Sequence, residues 1–152
     1  MHDVRPERDM ARPRYEQEWG LMAEKRRRSI EIEGVAHTAP IPMGSRIDNV
    51  VYSSAIMGAD PVTGEIPDDG EAQVRYAFVN LARFLQVAGV SAEEVVRLTV
   101  HLSEPTLRDA INVEWEAMFP DPESRPARHA MNLPLNRNML VQLEVVAVAP
   151  SD

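Results

Sequence analysis

With 152 residues, 44% of them hydrophobic and 26% charged, the chain has the size of one domain and the composition of an ordinary soluble globular protein. A formal net charge of -8 argues against a surface that neutralises phosphates, so nucleic acid is not an expected partner. The absence of cysteine excludes disulfides, thiolate nucleophiles and Cys-ligated metals.

His2, His37, His101 and His129 show neither metal-binding helical spacing nor an H-E-x-x-H pattern, and no metal is expected. Met1–Asp9 has no apolar segment of the secretory kind, and no run approaches the roughly 18 apolar residues of a membrane span. No membrane partner and a cytoplasmic location are the expectation.

Residues 1–28 read as a polar, partly helical N-terminal extension. It ends in Lys25-Arg26-Arg27-Arg28, a cationic run that suits a helix C-terminus. Residues 29–152 then form the folded domain. Ser29–Gly34 alternates polar and apolar like a half-buried strand, and Ala39-Pro40-Ile41-Pro42-Met43-Gly44 is a proline-rich loop. Asn49–Met57 has the β-branched and aromatic content of a buried strand, closed by a turn at Asp60–Gly64.

From Glu71 to Ala88 the apolar positions Val74, Ala77, Phe78, Leu81, Leu85 and Ala88 fall along one face of a helix. Asp68 and Asp69 stand at its start, and Gly89 sits where a left-handed C-cap belongs. Ser91-Ala92-Glu93-Glu94 has capping-box spacing, and Val95–Leu102 reads as a strand. Pro105 opens a second helix that runs to about Phe119 and buries Leu107, Ile111, Trp115 and Met118.

Two strands close the chain, near Ala127–Leu133 and Met139–Ala149. In the last, Val141, Leu143, Val145 and Ala147 occupy one side while Val146 and Val148 reach the other. Two helices must therefore cover one sheet of about five or six strands, which predicts an α+β sandwich with both helices on one face. The other face has no cover within the chain and favours oligomerisation.

No phosphate-loop, dinucleotide or nucleophile-elbow pattern is present. The unusual segment is Ser124-Arg125-Pro126-Ala127-Arg128-His129, in which a strand would point Arg128 and Ala130 to one side and His129 to the other. Arg128 reads either as a surface charge with an ion-pair partner or as a bidentate clamp for a carboxylate.

Asp60-Pro61-Val62-Thr63-Gly64-Glu65, Gln73, Asn80-Leu81, Ala88-Gly89, Ile111-Asn112, Phe119-Pro120, Arg125-Pro126-Ala127-Arg128 and Gln142-Leu143-Glu144-Val145 follow one another with the order and spacing of a known pattern. Over about residues 30–149 the chain resembles the Rid family (YjgF/YER057c/UK114). The resemblance implies a chorismate-mutase-like mixed sheet assembled as a homotrimer, with ligand clefts between subunits. It further implies hydrolysis of enamine or imine acids, of the 2-iminopropanoate or aminomuconate type, to a 2-oxo acid and ammonia, with no cofactor.

On that resemblance Arg128 matches the carboxylate-binding arginine, Ala130 shares its side of the strand, and Ser54 and Asn112 match positions that line or support the cleft. Ile41 stands where the best-known members carry an aromatic residue. Many deaminating members have Glu-x-Glu near the end, whereas this chain has Gln142-Leu143-Glu144. Gln142 orients water but accepts no proton, and Glu144 reads either as its substitute or as a structural ion pair. A non-catalytic carboxylate-binding trimer is the alternative. Ribonuclease or translation-inhibitor activity, a label of some relatives, is disfavoured by the acidic charge.

Overall fold

The apolar stripe that begins at Val74 forms the longest helix of the computed structural model, which describes residues 25–151. In chain order the elements are β1 (Arg27–Ile30), β2 (Gly44–Ile47), β3 (Val50–Ser53), β4 (Ile56–Met57), α1 (Gly70–Ala88), β5 (Val95–Leu102), α2 (Arg108–Met118), β6 (Ala127–Asn132) and β7 (Val141–Val148). The sheet runs β1-β2-β3-β7-β5-β6, with β4 beside β7. Only β5 and β6 pair in parallel; the other pairs are antiparallel.

α1 is stopped at both ends as the sequence predicts. Asp69 caps it by accepting from the Glu71 N–H at 3.3 Å, and Gly89 takes φ 77 so that the chain turns back onto the Leu85 and Gln86 carbonyls. Its whole predicted stripe is buried. Phe84 joins the stripe and lies so close to β2 that a Cβ on Gly44 would come within 2.4 Å of its ring. The capping box at Ser91 closes a 3-10 turn, and Pro105–Leu107 is a second such turn leading into α2. Ile111 and Trp115 of α2 and the buried residues of α1 share one core with Leu98, Val100, Leu143 and Val145. Both helices therefore cover the same face of the sheet, and Met118 is only partly buried against it.

Several local expectations change. The strand expected over Asn49–Met57 breaks at Ser54-Ala55 into β3 and β4, and both halves pair with β7. Gly44, read as the end of a loop, and residues 45–47, assigned to no element, form β2 and make a hairpin with β3 in which Asp48 takes φ 52, a conformation Asp tolerates better than most residues. The sheet thus holds seven strands.

The basic run does not end a helix of its own. Arg27 and Arg28 lie in β1, which replaces the strand expected over Ser29–Gly34 and leaves Ile32 only a bridge to Val35. Arg28 and Arg46 instead donate to the Ala88 carbonyl, at 3.4 and 2.8 Å. They place cations at the negative end of α1. Residues 1–24 of the expected extension lie outside the described residues. No helix among the described residues is long and apolar enough to cross a membrane.

Two polar side chains on the inner face of α1, Gln73 and Asn80, are completely buried. Gln73 donates to the Pro67 and Asn138 carbonyls at 2.7 and 2.8 Å and accepts from the Leu140 N–H at 2.8 Å. Asn80 donates to the Met57 and Ala59 carbonyls at 3.1 and 2.8 Å. These bonds hold the segments leaving β4 and entering β7. Gln73→Leu keeps the volume but strands three backbone groups, and urea unfolding is expected to show a loss of about 2–4 kcal/mol. A loss below about 0.5 kcal/mol, the range of ordinary surface changes, would remove the clamp from the account of the fold.

Candidate functional site

β6 is the edge strand that carries Arg128. Its parallel register sets Arg128 opposite Leu98 and Ala130 opposite Val100, both core residues of β5, while His129 lies opposite Thr99. Paired residues share a face, so Arg128 and Ala130 point to the helix-covered side and His129 to the open side. The alternation expected from the sequence holds.

The Arg128 guanidinium lies 4.9 Å from the centroid of the Trp115 ring. Trp115 is itself braced by Phe119, with ring centroids 4.7 Å apart and planes inclined at 59°. This stack orients the guanidinium through a cation–π contact. Loss of hydration lowers the Arg128 pKa from its ordinary value, and the positive charge of Arg108 lowers it further. Among the described residues Arg26–Asp48 is the one ion pair, so no carboxylate neutralises Arg128. Arg125 does different work: its Nε donates to the Phe119 carbonyl at 2.9 Å and ties down the turn before β6.

Asn112 is half-buried on α2, one turn from both Arg108 and Trp115 and on their face of the helix. Ser54 is half-buried at the break between β3 and β4, where its N–H donates to the Met43 carbonyl at 2.7 Å. Ile41 is 49% exposed in the loop before β2.

Gln142 and Glu144 lie opposite His101 and Thr99 on the open face, with the sheet between them and Arg128. Gln142 is half-buried and its amide has only a 3.4 Å contact with the Met139 sulfur, a weak acceptor. Glu144 is exposed and forms no ion pair among the described residues. The chain thus groups Arg128, Ala130 and Asn112 on one side of the sheet and Gln142 with Glu144 on the other.

The structure adds polar groups that sequence reasoning did not select. A cavity of about 410 Å³ at the end of β4 and β7 is lined by Gln142, His37, Arg137, Met57 and Met139. His37 Nε2 is buried with no hydrogen-bond partner, and Arg137 takes φ 56. On the open face Glu144 shares a depression of about 480 Å³ with Tyr52, Arg97, Thr99 and His101. There Arg97 Nη2 is 3.4 Å from His129 Nδ1. His37 and Arg137 lie in irregular loops, where no periodicity marks a residue as facing a cavity.

Comparison with known proteins gives this geometry a context. The model of the family described as "Endoribonuclease L-PSP" matches residues 35–149. A RutC family protein of Aquifex aeolicus is 30% identical over 118 residues, covering 72% of this chain and 93% of that protein. The 2-iminobutanoate/2-iminopropanoate deaminase of Escherichia coli is 27% identical over 115 residues, covering 74% of this chain and 90% of the enzyme. The crystal structure of RidA from an Antarctic Psychrobacter superposes with a TM-score of 0.73 at 26% identity, covering 80% of this chain and 98% of that one. The match runs from the strand bridge at Val35 through the end of β7, well over half of the sequence, and the chain therefore belongs to the endoribonuclease L-PSP family, the Rid family that its motifs resemble.

Proposed function

We propose that the protein is a hydrolytic deaminase of reactive enamine or imine acids of the 2-iminopropanoate kind, releasing the 2-oxo acid and ammonia. The observation that carries this reading is the Arg128 guanidinium, partly desolvated, laid on Trp115 and left without an acid partner among the described residues. A planar cation held in this way is suited to grip both oxygens of a carboxylate and fix the carbon beside it.

The chemistry asks little more of the protein. An iminium carbon is already electrophilic: water adds to it to give a carbinolamine, both protons of that water pass to nitrogen, and the C–N bond breaks as the C=O forms, releasing ammonium. Orientation of substrate and water supplies much of the rate. Gln142 orients the water, and Glu144, two residues along the same face and unpaired among the described residues, accepts the proton that Gln142 cannot.

Arg128 and Gln142 sit on opposite sides of one sheet, so the site needs a second copy of the chain. A homotrimer with clefts between subunits is the assembly we propose. The open face supports it: Ile47, Val50, Tyr52 and Val148 are exposed on neighbouring strands, with Tyr52 at 57% and Val50 at 41%. A continuous apolar patch of this kind is expected to be covered. Tyr52→Asp places a charge in it and is expected to shift the protein from trimer to monomer in sedimentation. A wild-type protein that sediments as a monomer would remove the shared cleft.

Ammonia release from freshly generated 2-iminopropanoate tests the activity. Wild type is expected to exceed the spontaneous rate, and Arg128→Ala to lose about 100-fold or more in kcat/KM, as loss of a charged clamp does. Equal rates for wild type, variant and buffer over several such acids would end the deaminase reading. The amide at Gln142 favours a second reading, a carboxylate-binding trimer without turnover, and a 2-oxo acid bound at Arg128 in an inactive protein would establish it.

A further inference from the structure

β5 and β7 are the longest strands, and their antiparallel register sets Thr99 opposite Glu144 and His101 opposite Gln142. Paired side chains stand on one face with Cβ atoms about 5 Å apart, so the four form a two-by-two block of polar groups on the open face. The row that holds His101 ends in apolar side chains: Met57 of β4 pairs with Gln142, and Met131 of β6 pairs with His101. His101 is half-buried and lines the same depression as Glu144 and Thr99, while Gln142 lines the neighbouring cavity.

The other two histidines among the described residues are placed differently. His37 has its Nε2 sealed from solvent. His129 has Arg97 Nη2 3.4 Å from its Nδ1, so a cation already faces that nitrogen. His101 is the one that shares a hollow with Glu144, the proposed proton acceptor. The two are diagonal neighbours in the block, a separation that side chains of their length can bridge directly or through one water. An imidazole both takes up and releases a proton near neutral pH.

We propose that His101 is a further catalytic residue, the group that protonates the departing nitrogen; the assignment rests on the deaminase reading given above. A carbinolamine carries oxygen and nitrogen on one carbon, and a proton lost by the first must reach the second. Glu144 serves the oxygen. As the C–O bond forms and the C=N pair withdraws onto nitrogen, its carboxylate takes the first proton of the water. His101 serves the nitrogen: its imidazole receives that proton from Glu144 and donates it to the amine, and the C–N bond breaks with its electron pair leaving on ammonia. The hydroxyl proton passes to the freed Glu144 carboxylate as C=O forms, and then to ammonia, which departs as ammonium. Both side chains end as they began, and Gln142, which exchanges no proton, orients the water.

Turnover of freshly generated 2-iminopropanoate by full-length His101→Gln and His101→Ala tests this, with sedimentation to show that each variant assembles as the wild type does. In both, kcat is expected to fall about 100-fold while KM stays within about twofold, because the Arg128 clamp is untouched. Free imidazole should restore about tenfold in kcat to His101→Ala, which leaves room for it, and nothing to His101→Gln, which does not. These results together would support the assignment, since a merely structural histidine is not rescued by its free ring. If His101→Ala fails to assemble, His101→Gln, which keeps most of the volume, decides on kcat and KM alone. Wild-type kcat in a correctly assembled variant, a rise confined to KM, or a loss in His101→Ala that imidazole leaves untouched would overturn the assignment of His101 and leave the deaminase reading in place. A wild type no faster than buffer would overturn both.

Discussion

The buried amide of Gln73 is the contact on which the placement of the other elements depends. It joins α1 to the segment Asn138–Leu140 that launches β7, and β7 pairs with β3, β4 and β5. A slip of β7 by one residue would exchange its faces, turning Val141, Leu143 and Val145 out of the core and Gln142 and Glu144 into it. Three hydrogen bonds from one side chain with no solvent exposure make that slip expensive, because each would have to be broken without water to replace it. Asn80 does the same for the exit of β4, two turns further along the same helix face. α1 is thus a core element and also a ruler against which the strands are set.

That registration separates the candidate chemistry into two half-sites. The alternation of β6 sends Arg128 toward α2, and the alternation of β7 sends Gln142 and Glu144 to the open face. β6 lies at the sheet edge, where a neighbouring chain has access to Arg128, and the open face exposes Tyr52 and Val50 beside β7. These two surfaces carry the residues proposed to act on the substrate. In the trimer proposed above, covering the apolar face would also deliver the second half-site.

What was legible in the sequence was local. The α1 stripe, its Asp69 and Gly89 caps, the Ser91 capping box, the strand at β5 and the alternation of β6 and β7 each follow from residues within a few positions of one another, and each is present. The departures are of a different kind. Ser53 and Ser54 have β-strand neighbours on both sides, and the break between β3 and β4 arises because Ser53 Oγ takes the bond from the Val145 N–H at 2.8 Å, a partner 92 positions away. Arg28 was read as the end of its own helix, and it serves the end of α1, 60 residues on. The burial of Gln73 also depends on distant loops, since a polar residue in an amphipathic helix has no local mark of being inside. Arg128 was readable as a clamp or as a surface charge; the Trp115 ring beneath it, thirteen residues earlier in the chain, is the feature that no local pattern supplied.

The electrostatics at α2 explain why Arg128 has no carboxylate partner among the described residues. An exposed ion pair contributes little, about 0–1 kcal/mol, because both partners are already well hydrated. A guanidinium that has lost part of its hydration to an aromatic face has more to regain from a carboxylate, and an internal acid would take that gain before any substrate arrived. Unpaired among the described residues and oriented by a neutral ring, Arg128 keeps that interaction for the carboxylate proposed above. The same logic suits a reaction in which the substrate brings its own activation. With the carboxylate anchored and the iminium carbon held at a set distance from it, a water ordered by an amide and one nearby proton acceptor complete the requirements, and a strongly basic residue beside the carbon would add little.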